Sequence, residues 1–95
     1  MNHSNIDLQR SKLYRLLKKV RQDKGIRQVE LAEKLGVPQS FVSKYESGDR
    51  RLDILELRQV CDAIGISLPE FILELEKSLN ETKWTIFKTT KKVLG

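Results

Sequence analysis

The sequence of 95 residues lacks most of what catalysis or metal binding would require. It has one cysteine, Cys61, and one histidine, His3, far apart along the chain. One cysteine cannot form an intrachain disulfide, and this pair provides neither a zinc ligand set nor a nucleophile with its base. A glycine-rich phosphate-binding loop is also missing. We therefore expect no enzyme activity, no metal site and no cofactor.

Long apolar runs are missing as well. None approaches the roughly 20 residues that cross a bilayer, and the polar stretch 1–10 is unlike a secretory signal. A chain of this size forms one domain around one hydrophobic core. We expect a cytoplasmic protein that does not bind membranes. Whether it is encoded by a bacterium or by a phage, it would then have access to the nucleoid.

The net charge of +5 is unevenly distributed. Residues 1–25 carry a net charge of +5, residues 26–52 carry +1, residues 53–81 carry −5, and residues 82–95 carry +4. A chain divided in this way presents a basic side to a polyanion and an acidic side elsewhere. Solvated faces produce similar patterns, so the charge becomes informative only once a binding motif is placed.

Helical periodicity predicts five helices and no confident strand. The first is predicted from about Leu8 to Lys24, with an N-terminal arm assigned to residues 1–10. The second spans Gln28 to Leu35, and the third runs from Pro38 or Gln39 to Glu46 or Ser47. Apolar positions that we expect to face the core in these helices are Leu13, Leu16, Leu17, Val20, Leu31, Ala32, Leu35 and Val42.

Capping patterns predict where the last two helices begin. Asp53 with Glu56, and Ser67 with Glu70, have the spacing of a capping box. The apolar positions that follow are Ile54, Leu57, Cys61 and Ile64, then Phe71, Ile72, Leu75 and Leu79. We expect Cys61 to be a small buried hydrophobic residue. Residues 81–95 are rich in β-forming residues, so a strand, a helical continuation and an arm all stay open.

Two short helices joined around Gly36 have the spacing of a helix-turn-helix over roughly residues 27–47. Ala32 is small enough for a close helix crossing, Gly36 suits a turn with positive φ, and Val42 packs inward. The outward positions of the third helix are Gln39, Ser40, Ser43 and Lys44. These residue types pair with base edges in the major groove. We assign them to base readout; the alternative is an ordinary solvated face.

Flanking residues are expected to contact DNA phosphates. Gln28 begins a helix, where free N–H groups and the helix dipole attract an anion. Arg27, Arg50 and Arg51 border the motif and can reach the backbone. Phe41 has two possible roles: contact with a sugar or a thymine methyl, or packing on Tyr45 or the first helix.

The segment from Arg27 to Arg51 resembles the lambda-repressor/Cro-type helix-turn-helix family, also called the XRE family, and the resemblance extends over about Leu13 to Leu79. It rests on Gln28, Ala32, Gly36, Gln39, Ser40, Val42 and the run from Ser43 to Gly48. It implies an all-α, five-helix lambda-repressor-like bundle (residues 11–80) with a short C-terminal arm. By the same resemblance, Arg21 and Glu46 form a structural ion pair and Gln28 contacts a phosphate. Arg27 departs from the family pattern, in which Thr or Ser usually caps the helix.

The resemblance implies a transcriptional regulator, with a repressor as the expected kind. Its expected partner is double-stranded DNA that contains a pseudo-palindromic operator. One recognition helix contacts too few base pairs for a unique site, so we expect a homodimer. Candidate dimerisation residues are Ile72, Leu75, Leu79, Trp84, Ile86 and Phe87. Trp84 and Phe87 could instead pack on the protein's own helices. The alternative function is an antitoxin or adaptor-type protein-interaction module, with a protein such as a toxin as its partner.

Overall fold

The computed structural model describes residues 3–80, and their side chains from residue 5 onward. These residues form five α-helices joined by loops. They are α1 (His3–Asp23), α2 (Gln28–Leu35), α3 (Gln39–Ser47), α4 (Ile54–Ile64) and α5 (Leu68–Leu79). The predicted all-α, five-helix bundle is confirmed, and α2 and α3 have the predicted bounds. No helix in this range is long and apolar enough to cross a membrane.

The first helix is longer than expected. It begins at His3 rather than near Leu8, so residues 3–10, expected as an arm, are part of α1. This stretch contains no glycine or proline, and Leu8, Gln9 and Arg10 are good helix formers. Helix propensity therefore accounts for the continuation of α1 through these residues.

Local signals set the other helix ends. Gly36 and Gly48 end α2 and α3 in the left-handed conformation, with φ of 69° and 86°. Asp53 Oδ1 accepts the Glu56 N–H at 2.8 Å and Glu56 Oε1 accepts the Asp53 N–H at 3.0 Å, which is the predicted capping box. At the start of α5, the Ser67 hydroxyl accepts the Glu70 N–H at 3.2 Å, so half of the second predicted box is present.

The core lies among the five helices: α1 packs against α3, α4 and α5, and α2 packs against α3 and α4. Cys61 is buried in it, as expected, whereas the expectation for Ile54 is wrong. Ile54 is the first residue of α4 and is 60% exposed, because α4 turns its apolar stripe to the core only from Leu57 onward. The sequence reasoning also missed two tyrosines. The buried apolar residues are Tyr14, Leu17, Leu31, Ala32, Val42, Tyr45, Leu57, Val60, Cys61, Ile64 and Phe71.

Candidate nucleic-acid interface

The third helix presents its polar side chains on one outward face. Val42 and Tyr45 are buried on the opposite face and hold α3 against α1 and α2. The four residues assigned to base readout lie on the outward face, three exposed and Ser43 half-buried: Gln39, Ser40, Ser43 and Lys44. The Ser43 hydroxyl donates to the Ser40 carbonyl at 3.2 Å, which leaves its oxygen lone pairs available. Contact of these residues with bases stays a prediction.

A buried ion pair fixes α3 to α1. Arg21 Nε and Nη2 donate to the two carboxylate oxygens of Glu46 at 2.7 and 3.0 Å. The Arg21 and Glu46 side chains are 7% and 3% exposed, and Arg21 Nη1 also donates to the Ile26 carbonyl at 2.6 Å. Two parallel hydrogen bonds restrict both the distance and the rotation of the two groups. The pair therefore sets the angle at which α3 leaves the bundle.

Two glutamines extend this network to the outer surface. Gln28 Nε2 donates to Glu46 Oε1 at 2.9 Å, and Gln39 Nε2 lies 3.5 Å from Gln28 Oε1. The Gln28 side chain, expected to contact a phosphate, is thus bonded to Glu46 in the free protein. Its role in the structure is to connect the buried ion pair to the first residue of α3.

The start of α2 offers free N–H groups. Its N-cap residue is Arg27, whose side chain has donors only and cannot accept a helix N–H. Both the backbone N–H and Nε of Arg27 donate to Glu30 Oε1 at 3.0 Å. The backbone hydrogen bond from Arg27 is the main reason why the pKa of Glu30 is lowered. The N–H groups of the first turn of α2 therefore remain available to an acceptor from outside.

The two arginines after α3 differ in their surroundings. Arg50 Nη2 donates to Glu56 Oε2 at 2.8 Å, Nη1 donates to the Arg51 carbonyl at 2.9 Å, and Cζ lies 4.1 Å from the centre of the Phe41 ring. The expected phosphate contact of Arg50 would have to compete with all three. Arg51 is exposed, and its side chain forms no ion pair within residues 5–80.

Phe41 takes the packing role of its two alternatives. Its ring meets Tyr45 edge to face, with centroids 6.0 Å apart, and is covered by Arg50. This stack connects the outward half of α3 with the core. Phe41 is half-buried.

The candidate dimerisation residues differ in where they lie. Ile72 and Leu75 pack against the protein's own core, and Leu79 is half-buried. Trp84, Ile86 and Phe87 lie outside the described residues. Leu73, which the sequence reasoning missed because it lies off the apolar stripe of α5, is 58% exposed.

A helix-turn-helix family model matches residues 17–71 of the chain. Among curated proteins, no relative matches. Several solved structures do. An XRE-family like protein from Pseudomonas syringae pv. tomato str. DC3000 is 42% identical, with 76% of this chain and 88% of that chain covered and a TM-score of 0.72.

Two further structures are similar to this chain. The restriction-modification controller protein C.Esp1396I, solved as a tetramer in complex with its natural 35 base-pair operator, is 30% identical; 75% of this chain and 93% of that chain are covered, with a TM-score of 0.70. The clp gene regulator ClgR from C. glutamicum is 32% identical, with 75% and 91% covered and a TM-score of 0.67.

Proposed function

Since the chain belongs to the XRE-type helix-turn-helix family of DNA-binding transcriptional regulators, we propose that it is a sequence-specific repressor that inserts α3 into the major groove. The observation that carries this proposal is the outward polar face of α3, held in a fixed orientation by the buried pair of Arg21 and Glu46. Base readout requires donors and acceptors whose positions are set before binding.

The residue types on this face suit the base edges of the major groove. Gln39 can form two hydrogen bonds to an adenine, and Lys44 can donate to guanine O6 and N7. Ser40 and Ser43 have hydroxyls that donate or accept. Gln39 Nε2 lies 3.5 Å from Gln28 Oε1, a contact that limits the rotamers of the reading amide before DNA arrives.

Phosphate contacts would position the helix without reading sequence. At the start of α3, these contacts come from Arg27 and the uncapped N–H groups of α2. Beyond the end of α3, Arg51 is exposed and available. Arg50 supports this loop through Glu56 and Phe41, and its contact with a phosphate stays a prediction.

We propose that the protein binds a pseudo-palindromic operator as a homodimer in the cytoplasm, at the bacterial nucleoid or as a phage product. The controller protein C.Esp1396I, solved as a tetramer on its operator, supports assembly on DNA. We propose no catalytic role, because the site is built of groups that hydrogen-bond to bases and phosphates.

Substitution of Gln39 tests the readout. Operator sequences are first selected from a random DNA pool with the wild-type protein. Gln39→Ala should then lose about 1–3 kcal/mol of discrimination at one base pair, because one bidentate contact is removed. Affinity for a panel of single-base operator variants, measured by fluorescence anisotropy, gives the discrimination at each position.

Gln59→Ala is the matched control, since Gln59 is exposed on α4. It should leave every preference unchanged. If Gln39→Ala retained the wild-type preference at all positions, the assignment of the reading face would be wrong.

A further inference from the structure

A polar cleft of about 440 Å³ lies between α1 and the C-terminal end of α3. Three arginines line it: Arg10 and Arg15 from α1, and Arg51 from the loop after α3. Arg10 and Arg15 are five positions apart on α1 and flank Ser11 and Tyr14, which also line the cleft. Arg10 lies at the overlap of the predicted arm (residues 1–10) and the predicted first helix, and the structure places it within α1.

The carboxylates of the cleft do not cancel its positive charge. Glu46 lines it, but both of its oxygens already accept hydrogen bonds from Arg21, and one also accepts from Gln28. Asp7 is 73% exposed and reaches Arg10 only at 3.4 Å. Arg15 has no carboxylate partner among residues 5–80. The cleft therefore has spare cationic hydrogen-bond donors.

A buried donor also lines the cleft. Tyr14 is 4% exposed, and its hydroxyl oxygen accepts the Leu52 N–H at 3.1 Å. That bond uses a lone pair of the oxygen and leaves the hydroxyl hydrogen for a second acceptor. Within the described part of the chain, no residue accepts it. Since Tyr14 lines the cleft, its hydroxyl can donate to an anion bound there together with the three guanidinium groups.

The position of the cleft relative to α3 identifies the anion. The nine residues of α3 extend about 13 Å, close to the major-groove width of about 12 Å. The uncapped start of α2 lies beside one end of α3, and the arginine cleft lies beside the other. With α3 oriented across the groove, these two sites face the two sugar–phosphate strands that border it.

Resting on the proposed DNA-binding function, we propose that the arginine cleft binds a phosphate of the DNA backbone beside the C-terminal end of α3. The oxygens of this phosphate accept hydrogen bonds from Arg10, Arg15 and Arg51 and from the hydroxyl of Tyr14. The first helix thereby extends the DNA footprint beyond the base pairs that α3 reads.

The test measures the salt dependence of binding to two 20-base-pair duplexes, one carrying the selected operator sequence and one a scrambled sequence. The double variant Arg10→Gln/Arg15→Gln removes two cleft charges at helix positions that glutamine tolerates. The control Arg58→Gln/Lys77→Gln removes two charges from α4 and α5, neither of which lines the cleft.

One lost phosphate contact reduces the log–log salt slope by about 0.9. Between 50 and 200 mM salt, the wild type should therefore lose about threefold more affinity than the cleft variant loses. Both duplexes should be affected alike, because a phosphate contact carries no sequence information. Asp7→Asn should change affinity in the opposite direction, since it releases Arg10 from its carboxylate.

The outcomes separate the two proposals. If the wild type showed no salt-dependent binding to either duplex, the DNA-binding function itself would fail. If it bound, but the cleft variant had the slope of the control variant, the cleft would not contact DNA. Inorganic phosphate alone is the third arm. Inorganic phosphate could raise the melting temperature of the wild type but not that of the cleft variant, while the two proteins had the same salt slope of DNA binding. In that case the cleft would bind free anions rather than DNA, and the proposal would be overturned.

Discussion

Tyr45 combines complete burial with a hydroxyl that has no hydrogen-bond partner among the described residues. Burial, followed by the nearby charge of Glu46, raises the pKa of this phenol well above its ordinary value, so it stays neutral at physiological pH. A buried polar group without a partner costs about 1–3 kcal/mol. The Tyr14 ring is 6.2 Å away from the Tyr45 ring, yet its hydroxyl is bonded to the Leu52 N–H.

The two tyrosines should therefore respond differently to loss of the hydroxyl. We expect Tyr45→Phe to keep or raise the free energy of unfolding, because the ring packing stays and the unbonded oxygen is removed. Tyr14→Phe should lower it by about 1 kcal/mol, because the Leu52 N–H loses its acceptor. Urea titrations followed by circular dichroism give both values. Equal losses in the two variants would show that the Tyr45 hydroxyl is bonded after all.

At the scale of the helix, the start of α4 depends on the carboxylate of Glu56 as well as on that of Asp53. Glu56 accepts the Asp53 N–H and binds Arg50, and the hydrogen bond from Arg50 is the main cause of its lowered pKa. A carboxylate whose folded pKa lies below its ordinary value of 4.5 stabilises the fold above that pH. The contribution disappears as the pH falls through the folded pKa.

Glu56→Gln should consequently be less stable than the wild type at pH 7 and should approach it as the solution is acidified well below pH 4.5. Melting temperatures over this pH range measure the difference. Glu70→Gln is the matched control, because Glu70 has the same position in α5 and only its backbone N–H takes part in the cap. A constant difference between Glu56→Gln and the wild type across the whole range would contradict the assignment.

Helix positions could be predicted because their signals are local. Asp53 stands next to the helix that it caps, and Gly36 directly follows the helix that it ends. Partners across the fold could not be predicted in the same way. Nothing near Arg50 in the chain distinguishes a phosphate ligand from the partner of Glu56, and nothing near Gln28 indicates Glu46.

The same distinction explains the errors in the core. Ile54 fits the apolar spacing of α4, but the angle at which α4 enters the bundle leaves this first residue in solvent. The burial of Tyr14 and Tyr45 was missed because only aliphatic residues were used to predict the apolar stripes of α1 and α3. The ion pair of Arg21 and Glu46 was expected only through family resemblance, since 25 positions separate the two residues.

At the scale of the whole molecule, assembly should depend on the C-terminal segment. Deletion of residues 84–95 removes Trp84, Ile86 and Phe87, and we expect it to leave a folded monomer with much weaker operator affinity. Sedimentation velocity at tens of micromolar protein measures the oligomeric state, and circular dichroism checks the fold.

The deletion also removes positive charge, which by itself weakens DNA binding. A full-length variant with Lys88, Lys91 and Lys92 changed to glutamine separates the two effects: it should lose affinity but remain dimeric. A monomeric wild type, together with a truncated protein that binds its operator equally well, would reject dimerisation through this segment.

The connection between the two ends of the fold also affects how the protein is made. Successive helices are joined by short loops, such as residues 36–38 and 65–67, but α1 also packs against α5. A ribosome adding about 5–20 residues per second needs a few seconds to synthesise residues 24–67 between them. Small helical bundles with mostly local contacts fold in microseconds to milliseconds. The packing of α1 against α5 therefore cannot form until α5 has been synthesised. The rate of translation, rather than the rate of folding, sets the time at which the helical bundle is complete.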